Sequence, residues 1–219
     1  MAKISGVKAV IFDMDGVLID SEIVYRNVVA DFFKELGAPL SADDLNVMAG
    51  ASVDTSHRLF EEWWARTGRP ALLGAEIEAQ IYREEDVELD YHALMFEGVP
   101  QTLRTLAERG YRLALASSSS PGNIRHVLDC CDIADCFEFA VSGEEFTESK
   151  PNPAIYLHTL ERLGLDAQEC VVVEDSDYGI TAAVRAGIPV IARVEDRLGY
   201  TQDGASYFID VFPQLLDLL

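Results

Sequence analysis

Lysine is scarce in this chain of 219 residues: Lys3, Lys8, Lys34 and Lys150 are the only four, and 17 basic side chains face 38 acidic ones. The resulting net charge of -21 repels nucleic acid and anionic membrane surfaces, which excludes both as partners. Cysteine is equally sparse. Cys130, Cys131, Cys136 and Cys170 form no Cys-x-x-Cys pair, and adjacent residues point in different directions on a helix, so neither a metal site nor a disulfide framework is indicated. Buried or half-buried reduced thiols are expected. Apolar runs are short: Ala9–Phe12 is followed at once by acidic residues and is neither anchor nor signal peptide. A cytoplasmic protein is expected. Internal repeats and low-complexity segments are also missing, and Ser117–Ser120 is the longest homopolymeric run.

What is present is an ordinary globular balance, 49% hydrophobic and 25% charged, over a length that permits a large domain or a medium domain with an insertion. Short apolar runs at Val7–Asp13, Leu113–Ser117, Phe139–Ser142, Val171–Glu174 and Pro189–Ala192 read as buried, parallel-type strands. Between them lie helical patterns at Pro100–Arg109, Asn123–Leu128, Pro153–Leu163 and Tyr178–Ala186, three of them closed by Gly110, Gly164 and Gly187. Alternation of this kind predicts an open α/β fold with a parallel-sheet core. Residues 20–91 break it, holding only helical patterns such as Ile23–Leu36, Thr55–Arg66 and Glu76–Glu88. An inserted all-helical domain is expected there, with residues 1–19 and 92–219 forming the core. Ser41 with Asp44 predicts a capped helix start, and at least one of Trp63 and Trp64 should be buried in the helical part.

Open α/β sheets bind ligands beyond the C-terminal ends of their strands, so four loops carry the chemical interest. Asp13 and Asp15 follow the first strand, with Gly16 next. Two like charges about 4 Å apart cost on the order of 4 kcal/mol at an effective dielectric of 20, so such a pair implies a cation or a retained proton, although solvated surface turns also carry Asp-x-Asp-Gly. Glu174 and Asp175 form a second acidic pair at another strand end. Four converging carboxylates are hard oxygen ligands suited to magnesium; a helix N-terminus that favours acidic residues is the plainer account of the second pair. Ser117, with the amides after it, could donate to phosphoryl oxygens or simply cap a helix. Lys150, set between Ser149 and Pro151, could grip a phosphate or stand as an exposed loop lysine.

Taken together, Asp13-Met14-Asp15-Gly16-Val17-Leu18-Ile19-Asp20-Ser21-Glu22, Ser117, Lys150-Pro151 and Glu174-Asp175 resemble the motifs of the haloacid dehalogenase superfamily of phosphohydrolases, in order and in separation. The resemblance spans nearly the whole chain. It implies an α/β fold with a Rossmann-like parallel-sheet core and an all-helical cap, inserted after the first strand, that closes over the site. It also implies Asp13 as nucleophile, Asp15 as general acid and base, and Ser117 and Lys150 as holders of the transferring phosphoryl group. Mg2+ would be bound by Asp13, the backbone carbonyl of Asp15, and Asp175, with Glu174 bound directly or through water. The implied activity is magnesium-dependent hydrolysis of a small phosphorylated metabolite, a sugar phosphate foremost, through an aspartyl-phosphate on Asp13.

Departures from the family's branches narrow the reading. Asp15, Glu174 and Asp175 speak against a dehalogenase, and a phosphonate hydrolase would need a cap lysine where only Lys34 is present. A β-phosphoglucomutase-like phosphomutase remains the alternative, yet Val53 and Tyr25 stand where that branch has an arginine and a histidine; Arg26 or Arg58 would have to supply the charge. A non-catalytic binding protein is less favoured, because no catalytic carboxylate or lysine is missing. His57, His126 and His158 are expected at the surface or in packing. Substrate contacts are expected from Ser117, Ser118, Ser119, Lys150, Asn152 and Ser52, with Asp54 and Arg58 as further polar candidates. A monomer is the default, since the implied site is complete within one chain.

Overall fold

The computed structural model describes residues 3–48, 51, 53–82 and 89–219. In chain order the elements are β1 (Ala9–Phe12), α1 (Ser21–Glu35), α2 (Ala42–Met48), α3 (Val53–Arg66), α4 (Gly74–Ile81), α5 (Tyr91–Leu94) and α6 (Val99–Glu108). There follow β2 (Arg112–Ser117), α7 (Pro121–Cys130), β3 (Phe139–Ser142), α8 (Ala154–Leu163), β4 (Cys170–Glu174), α9 (Asp177–Arg185), β5 (Val190–Arg193), β6 (Tyr207–Ile209) and α10 (Leu215–Leu218). The chain divides into two compact units, one of residues Met1–Asp20 and Tyr91–Leu219, the other of Ser21–Asp90. Among the described residues no helix is long and apolar enough to cross a membrane.

The larger unit is a six-stranded parallel sheet in the order β3-β2-β1-β4-β5-β6. β1 lies between β2 and β4, with Phe12 in register with Leu115 and Val173, and every one of its residues is buried. This central place explains an uninterrupted apolar run instead of an alternating one. The direction of strand addition reverses between β1 and β4, which makes their C-terminal ends the switch point where doubly wound sheets take ligands. One face packs β-strand alanines and valines against Ile155, Tyr156, Leu160 and Ile180 from α8 and α9. Phe12 stacks on Phe212 at 5.8 Å between ring centroids, tying β1 to the segment before α10. The strand β6 is missing from the sequence reading: it is three residues long, edge-placed, and only Ile209 of it is buried, so its apolar pattern is too weak to register.

The smaller unit is built around Phe33, Leu59, Phe60, Trp63, Trp64 and Ile77. Both tryptophans are buried; Trp63 meets Phe33 edge-on at 5.7 Å, and the indole of Trp64 donates to the Pro70 carbonyl at 2.9 Å. Burial of each such side chain contributes roughly 2–3 kcal/mol. Ser41 and Asp44 form the expected reciprocal cap at the start of α2, with N–H to side-chain oxygen distances of 2.9 and 3.1 Å. Tyr25 packs edge-on against Tyr82, and His57 pairs with Glu78 at 2.8 Å, so both have packing partners within their own unit. Helix α4 ends at Ile81; the rest of the helical pattern expected to Glu88 lies outside the described residues from position 83 on. The four cysteines are free thiols, and one departs from expectation: Cys130 is exposed, because it occupies the outer side of the last turn of α7.

Charge fastens the loop after β5. Glu195 is 3% exposed and accepts from Arg193 at 2.8 Å and from the Arg197 Nε and backbone N–H at 2.8 Å each, while Arg197 grips Asp20 with two bonds of 2.8 Å. Burial pushes the Glu195 carboxyl up, but the donors on Arg197 and Arg193 outweigh it and hold its pKa at about 2, below the usual 4.5. A carboxyl depressed in the folded state adds stability above its unfolded pKa and loses it as pH falls through the folded value. Glu195→Gln is therefore expected to cost about 2–3 kcal/mol at neutral pH, with the deficit closing between pH 4.5 and about 2. Urea unfolding of both proteins across that range checks this; a constant difference would assign the cost to packing instead of charge.

Candidate active site

Asp13 leaves β1 with its backbone N–H on the Val173 carbonyl of β4 at 3.0 Å, so the switch point between the two strands is where its side chain begins. The turn that follows is tight: Gly16 has φ 79°, its N–H bonds to the Ile19 carbonyl at 2.8 Å, and that of Leu18 bonds to Met14 at 2.8 Å. Only glycine fits at position 16. A Cβ there would fall inside van der Waals contact with the Asp175 carboxylate, on a backbone that L residues rarely adopt. Gly179, in the first turn of α9, faces Glu174 with less room still.

Carboxylate oxygens of Asp13, Glu174 and Asp175 all lie within 4.8 Å of one another, and all three residues are buried. Into this cluster comes Lys150. Its ammonium donates to Asp13 Oδ1 at 2.6 Å, to Glu174 Oε1 at 2.7 Å and to the Ala116 carbonyl at 3.1 Å, which uses all three donors. The peptide bond between Lys150 and Pro151 is cis. Burial pulls the Lys150 ammonium down, but the Asp13 and Glu174 carboxylates outweigh it and raise its pKa well above the ordinary lysine value. Burial likewise pushes Asp13 well above the usual carboxylate range, against the pull of Lys150 and with the push of Glu174. One ammonium among three buried carboxylates leaves the cluster short of positive charge. A small, hard divalent cation such as magnesium fits both that deficit and the all-oxygen donor set.

Glu174 differs from its neighbours in being saturated. Oε1 accepts from Lys150 and from the Tyr156 hydroxyl at 2.9 Å, and Oε2 accepts from Asp175 N–H at 3.0 Å, Ser176 N–H at 3.2 Å and Ser176 Oγ at 3.2 Å. A carboxylate offers about four lone-pair sites, so five donors leave little for a direct metal bond. Tyr156 is the residue that sequence reading passes over. It is fully buried on α8, its ring lies 5.2 Å from the Lys150 ammonium, and burial followed by Glu174 raises its pKa well above 10, which keeps the hydroxyl a donor. The Tyr at the sixth position after Lys150 was the available signal, but a buried helix aromatic reads first as packing.

The serine run is divided among tasks. Ser117 is buried at the end of β2 and its Oγ accepts from the Ser119 N–H at 3.1 Å; Ser118 is exposed; Ser120 caps α7 through the Asn123 N–H at 3.3 Å. Ser119 reaches across to the first motif, donating from Oγ to Asp15 Oδ2 at 2.9 Å, while the Ser142 hydroxyl holds its carbonyl at 2.7 Å. The structure thus brings Asp13, Lys150, Glu174 and Asp175 into one cluster, and Asp15 and Ser119 into contact. Asn152 is engaged locally: its amide donates to Glu148 at 2.5 Å and its Oδ1 accepts from Ala154 N–H at 2.9 Å at the start of α8. Ser52 lies outside the described residues.

Comparison with known proteins agrees with this geometry. The family model of haloacid dehalogenase-like hydrolases matches residues 7–187. Hexitol phosphatase B of Escherichia coli K12 is 31% identical over 179 residues, covering 81% of this chain and 79% of its own. The phosphorylated carbohydrates phosphatase of Thermotoga maritima is 33% identical over 189 residues, covering 83% and 82%. In fold alone, the chain is similar to a crystal structure described as a predicted phosphoglycolate phosphatase from Haemophilus somnus 129PT, with a TM-score of 0.78 at 22% identity over 97% of this chain and 98% of that one. A six-stranded parallel sheet with paired carboxylates at its switch point, a lysine between them, and a family match over most of its length place this chain in the haloacid dehalogenase-like hydrolase family.

Proposed function

We propose that the chain is a magnesium-dependent phosphoric monoester hydrolase for a small phosphorylated metabolite of the sugar or polyol phosphate class, working through an aspartyl-phosphate on Asp13. The observation that carries this reading is the Lys150 ammonium held at 2.6 Å from Asp13 and 2.7 Å from Glu174, with Asp175 in the same buried cluster. The substrate class rests on the relatives, two of which are named for phosphorylated hexitols and carbohydrates. On this reading residues 20–91 form a cap and carry the choice among such esters.

Asp13 supplies the attacking carboxylate oxygen. As its bond to phosphorus forms, the ester P–O bond breaks, and the leaving alkoxide takes the proton of the Asp15 carboxyl. The Ser119 hydroxyl on Asp15 Oδ2 orients that carboxyl. Water then attacks the aspartyl-phosphate, Asp15 accepts its proton, and the Asp13–phosphorus bond breaks to release phosphate. Lys150 spreads the charge that develops on the phosphoryl oxygens, and the Ser117 hydroxyl with the amides after it adds donors on the β2 side. Asp13, the backbone carbonyl of Asp15, and Asp175 would hold magnesium, with Glu174 bound directly or through water, and the ion would supply neutralising charge.

Phosphate release from a panel of sugar and polyol phosphates, with magnesium and with EDTA, tests the reading. Release that needs magnesium is expected, fastest on a carbohydrate or hexitol phosphate. Isomerisation of β-glucose 1-phosphate without phosphate release would make the chain a mutase, and inertness toward every ester would leave it a binding protein.

A further inference from the structure

Behind the acidic cluster lies a layer of polar side chains that the family match, ending at residue 187, does not reach. Its centre is Gln202, 6% exposed and set at φ 54°, a left-handed backbone that a non-glycine residue adopts at a cost. Asp177 holds the backbone there, accepting from Gln202 N–H at 2.7 Å and from Thr201 N–H and Oγ1 at 3.1 and 3.2 Å. With the backbone so fixed, the side-chain amide points inward, and Nε2 donates to two main-chain carbonyls, Asp175 at 2.7 Å and Arg193 at 2.7 Å. Both amide hydrogens are used. Arg193 extends the layer: its guanidinium lies 4.1 Å over the Phe96 ring, and its Nε donates to the Gly16 carbonyl. The main chain at Gly16 and at Asp175, on the two sides of a close approach in the site, is therefore held by buried donors from the end of β5 and from the β5–β6 connection.

Resting on the magnesium-dependent reading above, we propose that Gln202, with Arg193 beside it, is a positioning residue for the cation site. Three carboxylates with oxygens within 4.8 Å repel one another, and Asp175 is the member that Lys150 does not touch. A backbone that cannot retreat holds its carboxylate in place against that repulsion. The Gln202 amide pins that backbone to the end of β5, and Arg193 pins the glycine turn opposite. A connection whose sole task was to link β5 to β6 would take glycine or asparagine at a left-handed position and leave the two carbonyls to water. Partners one shell behind metal ligands characteristically alter metal affinity about 10- to 100-fold when removed.

The test is a magnesium titration of the full chain, read as the rise in thermal unfolding temperature and, separately, as the magnesium concentration for half-maximal phosphate release. Gln202→Met keeps length and loses both donors; Gln202→Asn suits the left-handed backbone but is too short to bridge, and it keeps the test open where the methionine variant fails to fold. Both are expected to need at least about tenfold more magnesium for half of either response, with turnover at saturating magnesium within a few-fold of wild type. Gln168→Met, the same substitution at an exposed glutamine whose amide meets the Gly187 carbonyl outside this layer, is expected to leave both midpoints unchanged. A Gln202 variant that melts lower without metal yet keeps the wild-type midpoints overturns the positioning role and leaves only a structural one. Wild-type protein with no response to magnesium in either readout would overturn the cation site itself, and the buttress with it.

Discussion

Asp13→Asn is expected to lower phosphate release by about 10⁴-fold or more while leaving the melting temperature unchanged or slightly raised. The two halves of this expectation have one cause. Asp13 is buried, and burial drives its pKa well above the carboxylate range, so the charged form is held at a cost that Lys150 partly offsets. An asparagine Oδ1 can still accept from the Lys150 ammonium, now at 2.6 Å from the aspartate oxygen, and the cluster loses one of three crowded negative charges. Stability gains what chemistry loses, because an amide oxygen is too poor a nucleophile to displace an alkoxide from phosphorus. Parallel phosphate-release and melting measurements check both. Residual turnover within about tenfold of wild type would remove Asp13 from the covalent step and point to direct attack by water.

Sequence legibility in this chain followed a physical line. Asp13-Met14-Asp15-Gly16 and Glu174-Asp175 could be found because each carries its chemistry in adjacent residues at the end of an apolar run, and parallel pairing of β1 with β4 then sets the two ends side by side. Lys150 could be found because lysine is so rare here. The sheet itself was readable wherever strands are buried on both faces, and unreadable at β6, where a single buried residue leaves no pattern. The supporting layer escaped for a different reason. Gln202 and Arg193 act on backbone carbonyls, and which carbonyls they meet depends on the path of a loop set by one positive φ and by Asp177, none of which leaves a spacing in the sequence. Glu174 illustrates the same limit from the other side: its residue type announces a ligand, but the curl of the chain into α9 turns two backbone N–H groups and Ser176 Oγ onto Oε2, and Tyr156 takes part of Oε1. Asn152 too looked available by type, and local capping of α8 engages it.

Lys150→Met is expected to be the most destabilising single change at the site, by about 3–5 kcal/mol in the absence of metal. Methionine keeps an unbranched apolar stem one atom shorter than that of lysine, and what is lost is the ammonium that satisfies Asp13 Oδ1, Glu174 Oε1 and the Ala116 carbonyl together and lies 5.2 Å from the Tyr156 ring. Two carboxylates then face each other in a buried space with no compensating cation. For a chain of this size the loss corresponds to a fall of roughly 6–20 °C in melting temperature. Lys34→Met is the control, because Lys34 is exposed in the last turn of α1 and its charge there contributes at most about 1 kcal/mol. The two variants remove the same side chain from the same protein, so the difference between them isolates burial among carboxylates. Magnesium is expected to raise the melting temperature of Lys150→Met by more than that of wild type, since in the variant the added cation meets a larger charge deficit, yet phosphate release should stay lost because no ammonium remains to grip the transferring group. A Lys150→Met protein as stable as Lys34→Met would mean that the carboxylates take up protons of their own when the lysine is gone, and that the ammonium is placed there for the substrate alone.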